Sequence, residues 1–135
     1  MFDADHFNHM SIDITDHQKR ELVKLLTKIS RECELEALGI VNRQGISLAF
    51  FVGAGADKDL LSAISAAITS TGESVTTKLQ HGNLNDMLIR GDKGFTILAT
   101  AGEYILIGAS KEVHAIGLTL NTIRESVPKL REILN

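Results

Sequence analysis

Apolar residues recur every three or four positions along three stretches of the chain, and between those stretches they gather in short runs broken by Gly, Asn and Asp. The first periodic stretch sets Leu22, Leu25, Leu26, Ile29 and Cys33 on one face and Lys19, Lys24, Lys28, Arg31 and Glu32 on the rest. It predicts an amphipathic helix. Asp16 suits its N-cap or first turn, with Arg20 four residues on. The second stretch, from Asp57 to about Gln80, is the longest: Leu60, Leu61, Ile64, Ala67, Ile68, Thr71, Val75 and Leu79 keep the helical period. Its remaining surface is small and uncharged (Ser62, Ala63, Ser65, Ala66, Thr69, Ser70, Thr76, Thr77), where a solvated face would carry Glu, Lys and Arg. Gly72 inside it costs about 1 kcal/mol relative to Ala and points to close packing. The third stretch runs from Lys111, with Ile116, Leu120, Ile123, Val127, Leu130 and Leu134 as its stripe. Pro128 within it is expected to bend the helix or start a fresh turn.

The short runs read as strands. Leu35–Val41 and Ile46–Val52 flank Asn42-Arg43-Gln44-Gly45, a turn with Asn first and Gly last, and predict a hairpin. Gly53-Ala54-Gly55-Ala56 closes it. A second hairpin joins Leu84–Ile89 to Phe95–Thr100 through Gly91-Asp92-Lys93-Gly94. After Ala101-Gly102, Tyr104–Ala109 is apolar on both faces, the mark of a central strand. The stretch 83–90 carries Asn83, Asn85, Asp86 and Arg90 and suits an edge. The predicted order is therefore α-β-β-α-β-β-β-α. Leu22, Ile29, Ile116, Leu120, Ile123 and Leu130 are expected to form the core between the outer helices and the sheet.

At 135 residues the chain is one domain's length. A net charge of −3 and no Trp leave neither the basic patch nor the stacking platform of a nucleic-acid binder. The single cysteine, Cys33, excludes an internal disulfide and fits a reducing, cytoplasmic setting. No apolar run is long enough for a bilayer span. Residues 1–15 show no period and read as a flexible N-terminal tail. His6 and His9, with Asp3 and Asp5, read as solvated tail residues rather than metal ligands.

Catalytic signatures do not occur. Gly53 and Gly55 make a G-x-G, but Lys58 stands where a dinucleotide fingerprint needs Gly. No Gly is followed by Lys, so there is no P-loop. There is no G-x-S-x-G and no H-E-x-x-H. His17, His81 and His114 are scattered and read as surface or capping residues. No catalytic, cofactor-binding or metal-ligating residue is assigned.

The element order, Leu38-Gly39-Ile40-Val41 with Gly45, the small-residue helix 57–80, Leu88-Ile89-Arg90-Gly91-Asp92-Lys93-Gly94 and Tyr104-Ile105-Leu106-Ile107-Gly108-Ala109 together resemble the roadblock/dynein light chain family, in its MglB-like prokaryotic branch. The resemblance covers roughly residues 16–134 and makes 16–135 the roadblock domain. It implies an α+β fold close to profilin: a five-stranded antiparallel sheet in order 2-1-5-4-3, the first and last helices on one face and the middle helix on the other. It also implies a non-enzymatic, cofactor-free dimer, homotypic or with another roadblock protein. Such a dimer scaffolds or regulates a Ras-like small GTPase, leaving open whether GTP hydrolysis is modulated.

An edge strand beside an undercovered helix invites a symmetric partner. The dimer is expected across strand 83–90 and helix 57–80 through Ile64, Ile68, Thr71, Val75, Leu84, Asp86 and Leu88. The GTPase is expected on Lys58, Ser62, Ser65, Thr69, Glu73 and Thr76. Arg43, Arg90 and Arg124 are available as arginine fingers, and nothing selects one. The alternative function is a small-molecule sensor of profilin-like or PAS-like architecture, which requires a hollow between sheet and helix.

Overall fold

The computed structural model describes residues 14–53 and 57–134. The first helix, α1, spans Asp16–Glu32. Its cap is Thr15 rather than Asp16: the Thr15 side chain accepts from the Gln18 N–H, and the Gln18 side chain accepts from the Thr15 N–H, satisfying two donors that would otherwise be orphaned. Asp16 takes the first-turn acidic role. Gln18 also donates through Nε2 to the Ile133 carbonyl at 3.1 Å, fixing the start of α1 to the end of the last helix. The expected tail of 1–15 is therefore too long by Thr15 and by Ile14, which packs against the core. The histidines and acids of the remaining tail, His6 and His9 with Asp3 and Asp5, lie outside the described residues.

Strands β1 (Ala37–Asn42) and β2 (Ser47–Val52) form the first hairpin. Asn42 Oδ1 accepts from the Gln44 and Ile46 N–H groups and closes its turn. Helix α2 covers Lys58–Lys78, capped by Asp57, whose carboxylate accepts from the Asp59 and Leu60 N–H groups. Strands β3 (Asp86–Gly91), β4 (Gly94–Ala101) and β5 (Tyr104–Ser110) follow. A 3-10 turn at Val113–Ala115 then leads into α3 (Ile116–Leu134), which runs unbroken through Pro128. Pro128 is exposed, so the carbonyl it leaves unbonded can turn to water.

The strands form one antiparallel sheet in the order β2-β1-β5-β4-β3, as the resemblance implied. Alternation along each strand divides two cores. On one face Leu38, Ile40, Ile97, Ala99 and Leu106 meet Leu22, Leu26 and Ile29 of α1 and Ile123 and Leu130 of α3. On the other, Ala37, Val41, Leu98, Ile105 and Ile107 surround Phe50, under Leu61 of α2. Ile116 and Leu120, expected in the first core, are only partly buried at its margin. Position 39 is Gly because Phe50, its cross-strand partner, lies over it: a Cβ there would stand 2.5 Å from the ring.

The third strand starts at Asp86, not at 83 or 84. Residues 80–85 are spent on a connection through Gln80 and Gly82, both at positive φ. Leu84 anchors that connection: it is buried, its carbonyl accepts the Thr100 hydroxyl at 2.6 Å, and the Thr100 N–H donates to the Asn85 carbonyl.

Candidate interaction surface on helix α2 and strand β3

Which side of α2 meets the sheet follows from size. The sheet beneath it offers Phe50, Leu98, Ile105 and Ile107, which are bulky. A helix can approach such a surface closely only with small side chains facing it. Ser62, Ser65 and Thr69 do this, each 1% exposed. Ser62 and Ser65 are satisfied locally, donating to the carbonyls of Lys58 and Leu61 at 2.8 and 2.7 Å. Gly72 continues the face: a Cβ there would come within 2.6 Å of Met87 Sδ.

This corrects the expected GTPase contacts. Ser62, Ser65 and Thr69 lie under the helix and are closed to a partner, and Lys58, Glu73 and Thr76 are half-buried on the same inward side. Helical spacing puts this set on one face, but small polar residues suit a solvated surface and a close helix–sheet contact alike, so spacing alone does not choose between them. Thr69 tests the point. Its Oγ1 is buried with no hydrogen-bond partner among the described residues. Thr69→Val keeps the shape and removes an orphaned hydroxyl, so it should raise stability by about 1 kcal/mol. Urea denaturation reads this, and a loss of stability would mean that the hydroxyl is paired.

Turning the small face inward leaves the apolar stripe outside. Leu60, Ile64, Val75 and Leu79 are 56, 42, 51 and 60% exposed. Thr71 is exposed and Ile68 half-buried on the same side of the helix. Strand β3 sits at the sheet edge, and among the described residues no strand pairs with its other side. It exposes Leu88 and Ile89 at 45 and 43%, on opposite faces by alternation. Met87 packs into the α2-side core, so Ile89, two residues on, faces the α2 side. Of the residues expected at the dimer seam, Ile64, Ile68, Thr71, Val75 and Leu88 are thus wholly or partly open. Leu84 is buried within its own chain and drops out. Asp86 is engaged, accepting from Arg124 Nε at 2.9 Å and Nη2 at 3.2 Å.

The candidate arginines divide in the same way. Arg43 is clamped between the Glu73 carboxylate of α2 and the Gly102 carbonyl of the β4–β5 turn. Arg124 is held by Asp86, which raises the guanidinium above its ordinary value. Arg90 on β3 is exposed. His17, His81 and His114 are all exposed. No group of three or more His, Cys, Asp or Glu could hold a metal ion among the described residues. Cys33 ends α1 as its buried C-cap.

A sensor would need space beneath α2, and Phe50 with the flanking aliphatic side chains occupies that space. A groove of about 320 Å³ does lie between α1 and α3, lined mainly by Glu and Lys side chains over Leu25, Thr122 and Ser126. No helix among the described residues is long and apolar enough to cross a membrane.

Comparison with known proteins agrees with this geometry. The family model of the Roadblock/LC7 domain matches residues 21–111. Two uncharacterised proteins of Methanocaldococcus jannaschii are each 22% identical over 108 residues, 80% of this chain and 95% of theirs. Among solved structures, the gliding protein MglB of Thermus thermophilus superposes with a TM-score of 0.80 at 18% identity, covering 93% of this chain and 96% of that one. Myxococcus xanthus MglB gives 0.81 at 11% identity, covering 90 and 92%. MglC of the same organism gives 0.59 at 19% identity, covering 84 and 99%.

Proposed function

Because the chain belongs to the Roadblock/LC7 family, we propose that it works as a dimer that binds and regulates a Ras-like small GTPase without catalysing a reaction of its own. The observation that carries the dimer is the exposed stripe of Leu60, Ile64, Val75 and Leu79 next to an edge strand whose outer side meets no strand among the described residues. An apolar stripe this long on one helix is costly in water, and an open strand edge invites another chain. One two-fold axis covers both: β3 pairs antiparallel with its copy, joining two five-stranded sheets, while the two α2 helices pack along their stripes.

The GTPase partner is what the roadblock resemblance implies, and the surface left for it is the outer side of α2. Once Ser62, Ser65 and Thr69 face the sheet and the stripe faces a twin helix, the open side carries Ala63, Ser70, Ser74 and Thr77, all exposed. Its side chains are small, and Ser70, Ser74 and Thr77 form a shallow surface bordered by Glu73 and Lys78, which suits a broad protein partner. Ser74 spends its hydroxyl on the Ser70 carbonyl, so recognition there rests on shape more than on polar contacts.

Co-purification from the native host identifies the GTPase. Ser70→Arg with Ser74→Arg should then leave the dimer intact and weaken GTPase binding at least about tenfold, because two long cations in a shallow contact must be desolvated. Calorimetric titration reads this. Unchanged affinity with the dimer preserved would move the contact off α2.

A further inference from the structure

Helices α1 and α3 carry eight of the 14 Lys and Arg residues but only five of the 17 acids. A chain of net charge −3 therefore gathers its positive charge on one layer. On α1, Arg20, Lys24, Lys28 and Arg31 are all exposed. Their spacing of four, four and three residues sets them in one row, opposite the buried Leu22, Leu26 and Ile29. The row is roughly 16 Å long at 1.5 Å per residue. Lys24 pairs with Glu21 at 3.0 Å, and its ammonium holds that carboxyl below the usual carboxylate range. Among the described residues no ion pair engages Arg20, Lys28 or Arg31.

We propose that this face of α1 and α3 is a docking surface for an anionic lipid bilayer. Lys24 and Lys28 also border the groove between α1 and α3, beside Glu21, Glu32 and Glu125, and neither helix carries a Phe, Tyr or Trp to stack on a base or anchor a peptide. A bilayer surface needs neither: a row of long, basic side chains reaching into anionic headgroups is sufficient. Binding is peripheral, since no described helix can span a membrane.

The orientation also fits. Pairing through β3 would place the α1 and α3 layers of both protomers on one side of the joined sheet and the α2 helices on the other. Two basic rows would then face the bilayer together, multiplying a weak contact, while α2 stays free for a protein. That doubling rests on the dimer proposed above; the row itself does not.

Co-sedimentation of the full chain with vesicles tests the proposal. Phosphatidylcholine vesicles containing phosphatidylglycerol should pellet at least about tenfold more protein than pure phosphatidylcholine at low salt, and the difference should vanish near ~0.5 M salt. Arg20→Glu with Lys28→Glu and Arg31→Glu should abolish the difference. Lys78→Glu with Lys93→Glu, on other surfaces, should not. The milder Arg20→Gln, Lys28→Gln and Arg31→Gln triple keeps the test open if the reversal disturbs folding. Light scattering and GTPase titration of the same variants should be unchanged, which separates failure of this surface from failure of the α2 reading. Equal binding to neutral and anionic vesicles overturns the proposal. So does retained binding by the triple variant, or capture of polyglutamate but not of vesicles, which would assign the row to an acidic protein.

Discussion

Ile64→Asp combined with Val75→Asp should turn the proposed dimer into a folded monomer. Both positions are about half open in the single chain, at 42 and 51% exposure, so the carboxylates can reach water in the monomer, which should lose about 1–3 kcal/mol of stability and stay folded. In a dimer the same carboxylates would be buried against the twin helix without a cationic partner. Losing two aliphatic side chains at about 1.5–3 kcal/mol each already weakens association roughly 100-fold or more at 1.4 kcal/mol per decade. The two-fold axis counts every loss twice. Multi-angle light scattering at tens of micromolar, by order of magnitude, should give twice the chain mass for the wild type and the chain mass for the variant. A wild type that is monomeric there, or a variant that remains dimeric, removes the α2–β3 seam.

Ile123→Ala should be among the most damaging single changes, at about 2–5 kcal/mol. Ile123 is fully buried where α3 crosses the sheet, in the core shared by α1 and α3. The sheet makes room for it: a Cβ on Gly108 would come within 2.8 Å of Ile123 Cδ1. Gly108→Ala should therefore also destabilise, by about 1–3 kcal/mol of overpacking. Ile123→Val removes the δ-carbon that Gly108 accommodates. The two changes together should consequently cost less than their sum, with a coupling of about 0.5–3 kcal/mol. A double-mutant cycle in urea measures this. Strict additivity would show that the helix shifts rather than meeting the new methyl group.

Much of the architecture was legible because it is written in local chemistry. Asn42 and Gly45 mark the first turn by side-chain and backbone requirements that act over four residues. Tyr104–Ser110 is apolar on both faces and stands at the centre of the sheet, while Asp86 and Arg90 leave β3 at its edge. Leu22, Ile29, Ile123 and Leu130 repeat at helical spacing and are all buried. Boundaries were less legible. Thr15 caps α1 through a reciprocal bond with Gln18, a pattern that Asp16 masks by being an equally good cap type. Leu84 looks like part of a strand but is spent as a plug, because Thr100 across the sheet takes its carbonyl.

The sequence by itself determined the order of elements, the central and edge strands, and the fact that α2 has more coverable surface than one sheet face can use. Overall net charge concealed the row of Arg20, Lys24, Lys28 and Arg31, because it sums over a chain whose acids lie mostly outside α1 and α3. Only the tertiary structure decided how α2 is rotated about its axis. Helical period places Ser62, Ser65 and Thr69 on one face and Ile64, Thr71 and Val75 on another, but it does not say which face turns inward. That choice depends on what lies beneath: a sheet already filled by Phe50, Ile105 and Ile107 has room for hydroxyls and methyls and none for another row of aliphatic chains. The larger side chains are consequently left outside, where a second chain can cover them.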